Sequence, residues 1–160
     1  IQTTPAHQLA LAAVYYSPLQ YMYWYDKPSD SQDEPELKFF DDVYTTWDDT
    51  KVLQGEVGEF ITIARRKGEE WFIGSITNNE KRVLSVSLDF LPEGKNYIAE
   101  IYTDGDKSVK TRTKVRVSTY RVSNKTKLNF CLKASGGAAV RLVPDDGNIK
   151  SVKNYKQQRL

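Results

Sequence analysis

From residue 55 onward, apolar and polar side chains alternate at every second position, the period that points neighbours to opposite faces of a β-strand. Residues 59–66 and 71–77 flank Lys67-Gly68-Glu69-Glu70 and predict a hairpin. Leu84, Val86 and Leu88 alternate with Ser85 and Ser87, giving one buried and one wet face. Leu91-Pro92-Glu93-Gly94-Lys95 breaks the chain before a strand over 97–103, and Asp104-Gly105 turns it again. In 109–117, Val109, Thr111, Thr113, Val115 and Val117 predict one face of a strand, with Lys110, Arg112, Lys114 and Arg116 on the other. Leu128, Phe130 and Leu132 mark another strand. Ala138, Val140 and Leu142 mark a last one between Gly136-Gly137 and Pro144. About seven short strands separated by turns predict an antiparallel β-sandwich over 54–144.

Residues 1–53 follow a different rule. Thr4 suits a helix N-cap and Pro5 the first helical position, and Leu9, Ala12, Ala13 and Tyr16 then recur at helical spacing. Ser17-Pro18 repeats the pattern and predicts a second short helix over 19–25. Pro35 predicts a third through Leu37, Phe39 and Phe40. Ala10, Leu11, Val14 and Tyr15 fill the remaining face of the first helix, so it is apolar all round, as helices buried between other elements are. Little else in 1–53 could cover it, so the expectation is that part of the protein lies outside this sequence. The proline-bounded run 27–35 reads as a loop, and 43–50 carries turn chemistry around Trp47. After Pro144 the polar residues 145–160 are expected to form a frayed tail.

Composition narrows the function classes. The 160 residues are 39% hydrophobic and 28% charged with a net charge of +2, ordinary for a globular chain and no pointer to nucleic acid or membrane. The longest apolar run, 9–16, is far short of the roughly 20 residues that span a bilayer. Cys131 is the single cysteine, which excludes an internal disulfide and a cysteine zinc cage; its strand setting predicts a small buried hydrophobe. His7, the single histidine, sits in the first turn of the first helix and reads as a packed residue.

Carboxylates and aromatics are the remaining candidates. Asp41-Asp42 and Asp48-Asp49 are adjacent pairs, but a glycosidase needs two carboxyl groups facing across a bond, roughly 5–9.5 Å apart. Adjacency predicts turn or helix-end capping first, with Asp48 or Asp49 lining a substrate pocket as the sharper alternative. No spacing of oxygen ligands marks a calcium loop, so no catalytic or metal residue is assigned. Tyr15, Tyr16, Tyr21, Tyr23, Trp24 and Tyr25 form a dense run, and ten Tyr, six Phe and three Trp are available to fill cores or stack on sugars. Trp24 and Trp47 are the candidates for lining a sugar site, while Trp71 reads as sandwich core. The basic face from Lys110 to Arg116 could follow a phosphate backbone, but no aromatics interleave it, and a solvated edge strand is the simpler reading.

Specific runs add a resemblance. Thr3-Thr4-Pro5-Ala6-His7-Gln8-Leu9-Ala10-Leu11 leads through Val14-Tyr15-Tyr16-Ser17-Pro18-Leu19-Gln20 to Asp26-Lys27-Pro28, Phe39-Phe40 and Thr46-Trp47-Asp48-Asp49-Thr50. Ala64-Arg65-Arg66, Trp71-Phe72-Ile73-Gly74, Thr77-Asn78-Asn79, Asp89-Phe90-Leu91-Pro92-Glu93-Gly94 and Ser135-Gly136-Gly137-Ala138-Ala139 follow in order. Together these resemble the C-terminal part of glycoside hydrolase family 97, whose members include α-glucosidases and α-galactosidases. The resemblance implies that 1–53 closes a catalytic (β/α)₈ barrel, that 54–144 is a C-terminal β-sandwich, and that 145–160 is a tail. It places the catalytic carboxylates and the calcium ligands of the full-length enzyme upstream, so no cofactor is expected in this chain. It further implies a periplasmic or secreted enzyme of a Gram-negative bacterium. The rest of the barrel would be the partner, with self-association where barrel-facing surface lies bare. A carbohydrate-binding module is the alternative.

Overall fold

The turn at Lys67-Gly68-Glu69 joins two strands in unbroken register, because Gly68 takes the left-handed conformation (φ +58°) that a side chain resists. The computed structural model describes residues 2–21, 24, 27–32, 34–149 and 151–156. Its elements are helix α1 (Pro5–Val14), the short helix α2 (Lys38–Asp42) and eight strands: β1 (Asp49–Glu56), β2 (Phe60–Lys67), β3 (Glu70–Thr77), β4 (Arg82–Ser87), β5 (Asn96–Asp104), β6 (Val115–Ser123), β7 (Lys127–Leu132) and β8 (Gly137–Pro144). A six-stranded antiparallel sheet runs β1-β2-β3-β8-β5-β6, and β4 pairs with β7 in a second sheet of two strands.

The large sheet is covered on both faces. Trp71, Ile73, Tyr97, Ala99, Ile101, Val140 and Leu142 meet Leu84, Val86, Leu128, Phe130 and Leu132 of the small sheet in one apolar layer. Alternation therefore works as predicted: every second residue of β4 and β7 faces inward. The same alternation turns Cys131 outward, so the cysteine is exposed and the expectation of a buried thiol fails.

The opposite face carries α1. Thr4 caps it, its Oγ1 accepting from the His7 amide, and Pro5 opens it as predicted. Leu9, Ala10 and Ala13 are fully buried in a second layer with Phe39, Phe72, Tyr102 and Ala139. Two glycines set this contact. A Cβ on Gly74 would stand 2.4 Å from the Ala10 carbonyl oxygen, and one on Gly137 would stand 2.6 Å from the His7 Cα. The cover demanded by an all-round apolar helix is supplied largely by the β-domain of this same chain.

Four further expectations change. The helix predicted over 19–25 does not form at its described residues 19–21 and 24, where the Ser17 hydroxyl instead accepts from the Leu19 amide in a local turn; 22, 23 and 25 lie outside the described residues. β1 begins at Asp49 and so straddles the boundary drawn between 53 and 54. The strand predicted over 109–117 starts only at Val115, because 105–114 turns back on itself: Asp106 accepts from Ser108, and Lys114 adopts φ +58°. The supposed basic face is consequently dispersed, with Arg116 paired to Asp106 and Lys114 Nζ on the Val109 carbonyl. Finally, the tail is not frayed over its described part. Arg121 donates its backbone amide to the Lys153 carbonyl and accepts from the Tyr155 amide, which lays the tail along the β6 edge.

Candidate functional site

The residues singled out in the sequence fall in two places. Trp24 and Trp47 both lie at the margin of the α1 layer, half-buried: Trp24 meets Phe40 edge-on at 5.5 Å, and Trp47 packs on Phe72 at 5.5 Å and on Tyr44 at 6.4 Å. Asp48 lies apart from them at the β2–β3 turn. Its carboxylate accepts from the Gly68 amide at 2.8 Å and from Lys67 Nζ at 3.2 Å, and these donors hold its pKa below the usual carboxylate value.

Helix α1 is pinned at both ends. At its start the Thr4 amide donates to the Ser135 carbonyl, and His7 Nδ1 lies 3.1 Å from the Gly136 carbonyl. Burial lowers the His7 pKa against the opposing pull of that bond and of Asp104. At its end Arg65 reaches across from β2. Its Nε donates to the Ala13 carbonyl at 2.5 Å, Nη2 to the Val14 carbonyl at 2.8 Å and Nη1 to Thr50 Oγ1 at 2.8 Å. A cation on the last carbonyls of a helix satisfies orphan acceptors and complements the helix dipole.

Beside α1, Arg141 of β8 bonds Glu70 (2.8 Å) and Asp42 (2.7 Å), while Lys38 bonds Asp42 and Glu100. Burial alone would lower the Arg141 pKa; Glu70, Asp42 and Glu100 outweigh it and raise it. The cluster fastens α2 to the sheet, and its carboxylates are neutralised by the cations between them. Nearby Glu36 is fully buried, one oxygen accepting from Thr113 Oγ1 and the other without a partner among the described residues. Among those residues no three carboxylate, histidine or cysteine side chains converge as a metal cage.

Two of the open clefts among the described residues lie beside the sandwich. One, of about 620 Å³, opens between the inner face of β5 and β6 and the free side of β7, where the two-stranded sheet leaves its larger partner uncovered. Tyr120, Phe130 and Tyr155 give it aromatic walls, with Asn129, Arg116 and Asp106 around them. Tyr155 meets Tyr120 edge-on at 5.4 Å, and its hydroxyl accepts from the Asn129 amide at 3.0 Å. The acids there are committed: Asp104 Oδ2 accepts from the Lys133 and Gly137 amides, and Asp106, held by Ser108 and Arg116, has a lowered pKa. The second cleft, of about 540 Å³, lies by the β1–β2 turn between Val52, Val57, Phe60, Ile61 and Ile76 and is mostly apolar. Sequence reasoning missed the first cleft because Tyr155 lies in a stretch read as tail and Tyr120 beyond the misplaced strand.

The described residues form a strand-rich module with a helix docked on one face. Comparison with known proteins agrees. Residues 46–143 match the family described as "Glycosyl-hydrolase 97 C-terminal, oligomerisation". A retaining alpha-galactosidase of Bacteroides thetaiotaomicron is 34% identical over 142 residues, 88% of this chain and 21% of that protein. A glycoside hydrolase family 97 enzyme from Pseudoalteromonas sp. strain K8, solved with acarbose, superposes with a TM-score of 0.80 at 37% identity over 89% of this chain and 23% of that one. A beta-arabinopyranosidase shares the fold alone, with a TM-score of 0.69 at 24% identity over 88% of this chain and 21% of that one. The chain belongs to glycoside hydrolase family 97 and corresponds to its C-terminal part, spanning 21% of the length of the alpha-galactosidase and 23% of that of the Pseudoalteromonas enzyme.

Proposed function

We propose that this chain is the non-catalytic C-terminal module of an enzyme that hydrolyses α-galactosides or α-glucosides. The observation that supports this is the commitment of the acids. Neither cleft offers two unengaged carboxyl groups across a sugar-sized opening: in one, Asp104 and Asp106 each accept bonds from turn amides or cations, and in the other, Glu59 pairs with Arg82 and leaves Glu56 as a single acid. Asp106, whose pKa Ser108 and Arg116 hold below the usual carboxylate value, is no general acid near neutral pH. On this reading the reactive carboxylates and the calcium of the full-length enzyme belong to upstream chain, and the enzyme works in the periplasm or outside the cell.

The surface that meets the rest of the catalytic barrel is the stretch after α1. Tyr15, Tyr16, Leu19 and Tyr21 are 57%, 75%, 80% and 102% exposed, a cluster of large apolar side chains that few monomers leave in water. The test incubates this chain and its full-length parent with nitrophenyl α-galactoside and α-glucoside. Turnover by the parent and none by the chain is expected; turnover by the chain alone sinks the proposal.

A second reading has the module holding sugar without cleaving it. The tyrosines of the β6–β7 cleft favour it, since their ring faces and hydroxyls suit a pyranose, and Trp24, Trp47 and Asp48 are the competing contact residues. Titration with maltooligosaccharides separates the two: a saturable signal lost in Tyr120→Ala places the sugar in the cleft, and one lost in Trp47→Ala places it beside α1. No signal at millimolar sugar removes the reading.

A further inference from the structure

The sandwich is unfinished on one side. The six-stranded sheet ends in β5 and β6 while the small sheet stops at β7, so part of the inner face of β5 and β6 has no strand over it. Strand register sets this floor: Ile101 stands opposite Ser118 and Thr103 opposite Arg116, and Tyr120 follows on the same face. One step along, that face is buried and apolar at Tyr97, Ala99 and Val122. Over the gap it carries the hydroxyls of Thr103, Ser118 and Tyr120 instead. The remaining wall is supplied by the tail. Its Lys153 carbonyl and Tyr155 amide bond the Arg121 backbone at the β6 edge, and the Tyr155 hydroxyl accepts from the Asn129 amide of β7 at 3.0 Å. That one side chain spans the gap between the two edges, its ring edge-on to Tyr120 at 5.4 Å.

The lining of this cleft is electrically balanced. Asp106 pairs with Arg116 at 3.0 Å, Asp104 accepts from the Lys133 and Gly137 amides, and Lys133 Nζ donates to the Gly105 carbonyl. Two acids and two bases leave no net charge to attract a phosphate or a uronate. What the cleft offers is a set of hydroxyls and two tyrosine rings around about 620 Å³, within the roughly 300–1,000 Å³ range of small-molecule sites. A pyranose matches that set, with C–H faces for the rings and hydroxyls round its rim. Building on the reading that the module holds sugar, we propose that this cleft takes a neutral pyranose and that the tail completes the site through Tyr155. The sugar reaches Tyr155 only where the tail is seated on β6. Tail seating and sugar binding therefore favour each other by the same factor.

The test is made on the 160-residue chain, titrated calorimetrically with maltotriose, raffinose and a galacturonate trisaccharide. A neutral sugar should bind saturably, and the uronate at least about tenfold more weakly. Saturating sugar should slow alkylation of Cys131, the exposed thiol that lines the cleft, and slow exchange of the Arg121 and Tyr155 amides. Tyr155→Ala should weaken binding about tenfold, the loss of one ring contact, while Tyr155→Phe keeps the ring and should retain most of the affinity. Should the alanine variant unfold, amide exchange and Cys131 protection in the unaltered chain decide the matter. A sugar that binds without protecting Cys131, binds Tyr155→Ala unchanged or leaves the tail amides untouched overturns the proposal, while the sugar-holding reading stands. A uronate that binds as tightly as the neutral sugars overturns it as well. No heat with any sugar at millimolar concentration ends both.

Discussion

The two faces of the six-stranded sheet are buried by different means. Toward β4 and β7 the layer is a regular interdigitation of Leu84, Val86, Leu128, Phe130 and Leu132 with the sheet residues, held by area alone. Toward α1 the layer is tighter and more particular. It needs two missing side chains, at Gly74 and Gly137, edge-on and tilted rings around Phe72, and polar ties at both helix ends. The first kind of face tolerates substitution that conserves volume, and the second depends on single atoms. An N-terminal helix fixed this closely belongs mechanically to the β-domain, while Tyr15, Tyr16 and Tyr21 after it stay exposed.

The sharpest way to break the contrast is Phe72→Ala. Phe72 is fully buried between Phe39, Tyr44 and Trp47, and its loss should cost about 3–5 kcal/mol in urea unfolding. Amide exchange should show α1 opening before the sheet does. If α1 and the sheet instead exchange together, the helix is no separate unit and the contrast fails.

Arg65→Met keeps the stem and removes the donors to the Ala13 and Val14 carbonyls. A loss of about 2–3 kcal/mol is expected, since hydrogen bonds from charged groups are worth more than neutral ones and two buried carbonyls are left bare. Gly74→Ala adds one carbon where the Ala10 oxygen stands 2.4 Å away, for a loss of about 1–3 kcal/mol. A neutral result in thermal or chemical unfolding would show that α1 can slide, contrary to the close seating described here.

Tyr155→Phe probes the other side. It removes the acceptor of the Asn129 amide but keeps the ring against Tyr120, so about 1 kcal/mol should go, with the tail's amides exchanging faster. The smallest effect is that of His7. Its folded pKa lies below the unfolded 6.5, so the unfolded chain takes up the proton first. Stability from this group is complete above pH 6.5 and falls as pH drops from there toward the lowered value. Unfolding free energies measured from pH 7.5 down to 5 should show that slope, and His7→Gln should flatten it.

Much of the β-domain was legible because strand alternation is local. The β2–β3 hairpin, β4, β5, β7 and β8 follow from period two and turn residues, and so does the inward set of the small sheet. The errors have one cause. Val109 to Val117 alternates as well as any strand, yet Thr113 is buried beside Glu36, seventy-seven positions away, and the chain turns there instead. Of the site candidates, Trp24 and Trp47 were found as aromatics, but Trp24's partner Phe40 and Trp47's partner Phe72 were not. Tyr120 and Tyr155 were overlooked because nothing near Tyr155 in sequence tells it that β6 and β7 leave a gap.

The amino-acid sequence by itself determined the antiparallel class, the capped and proline-opened first helix, and the family to which the chain belongs, since each is written in runs of a few residues. Only the tertiary structure decided what covers that helix, which edge of the sheet the tail closes and which stays open. These are contacts between segments far apart along the chain, where the outcome turns on the space left by a glycine or the reach of one arginine.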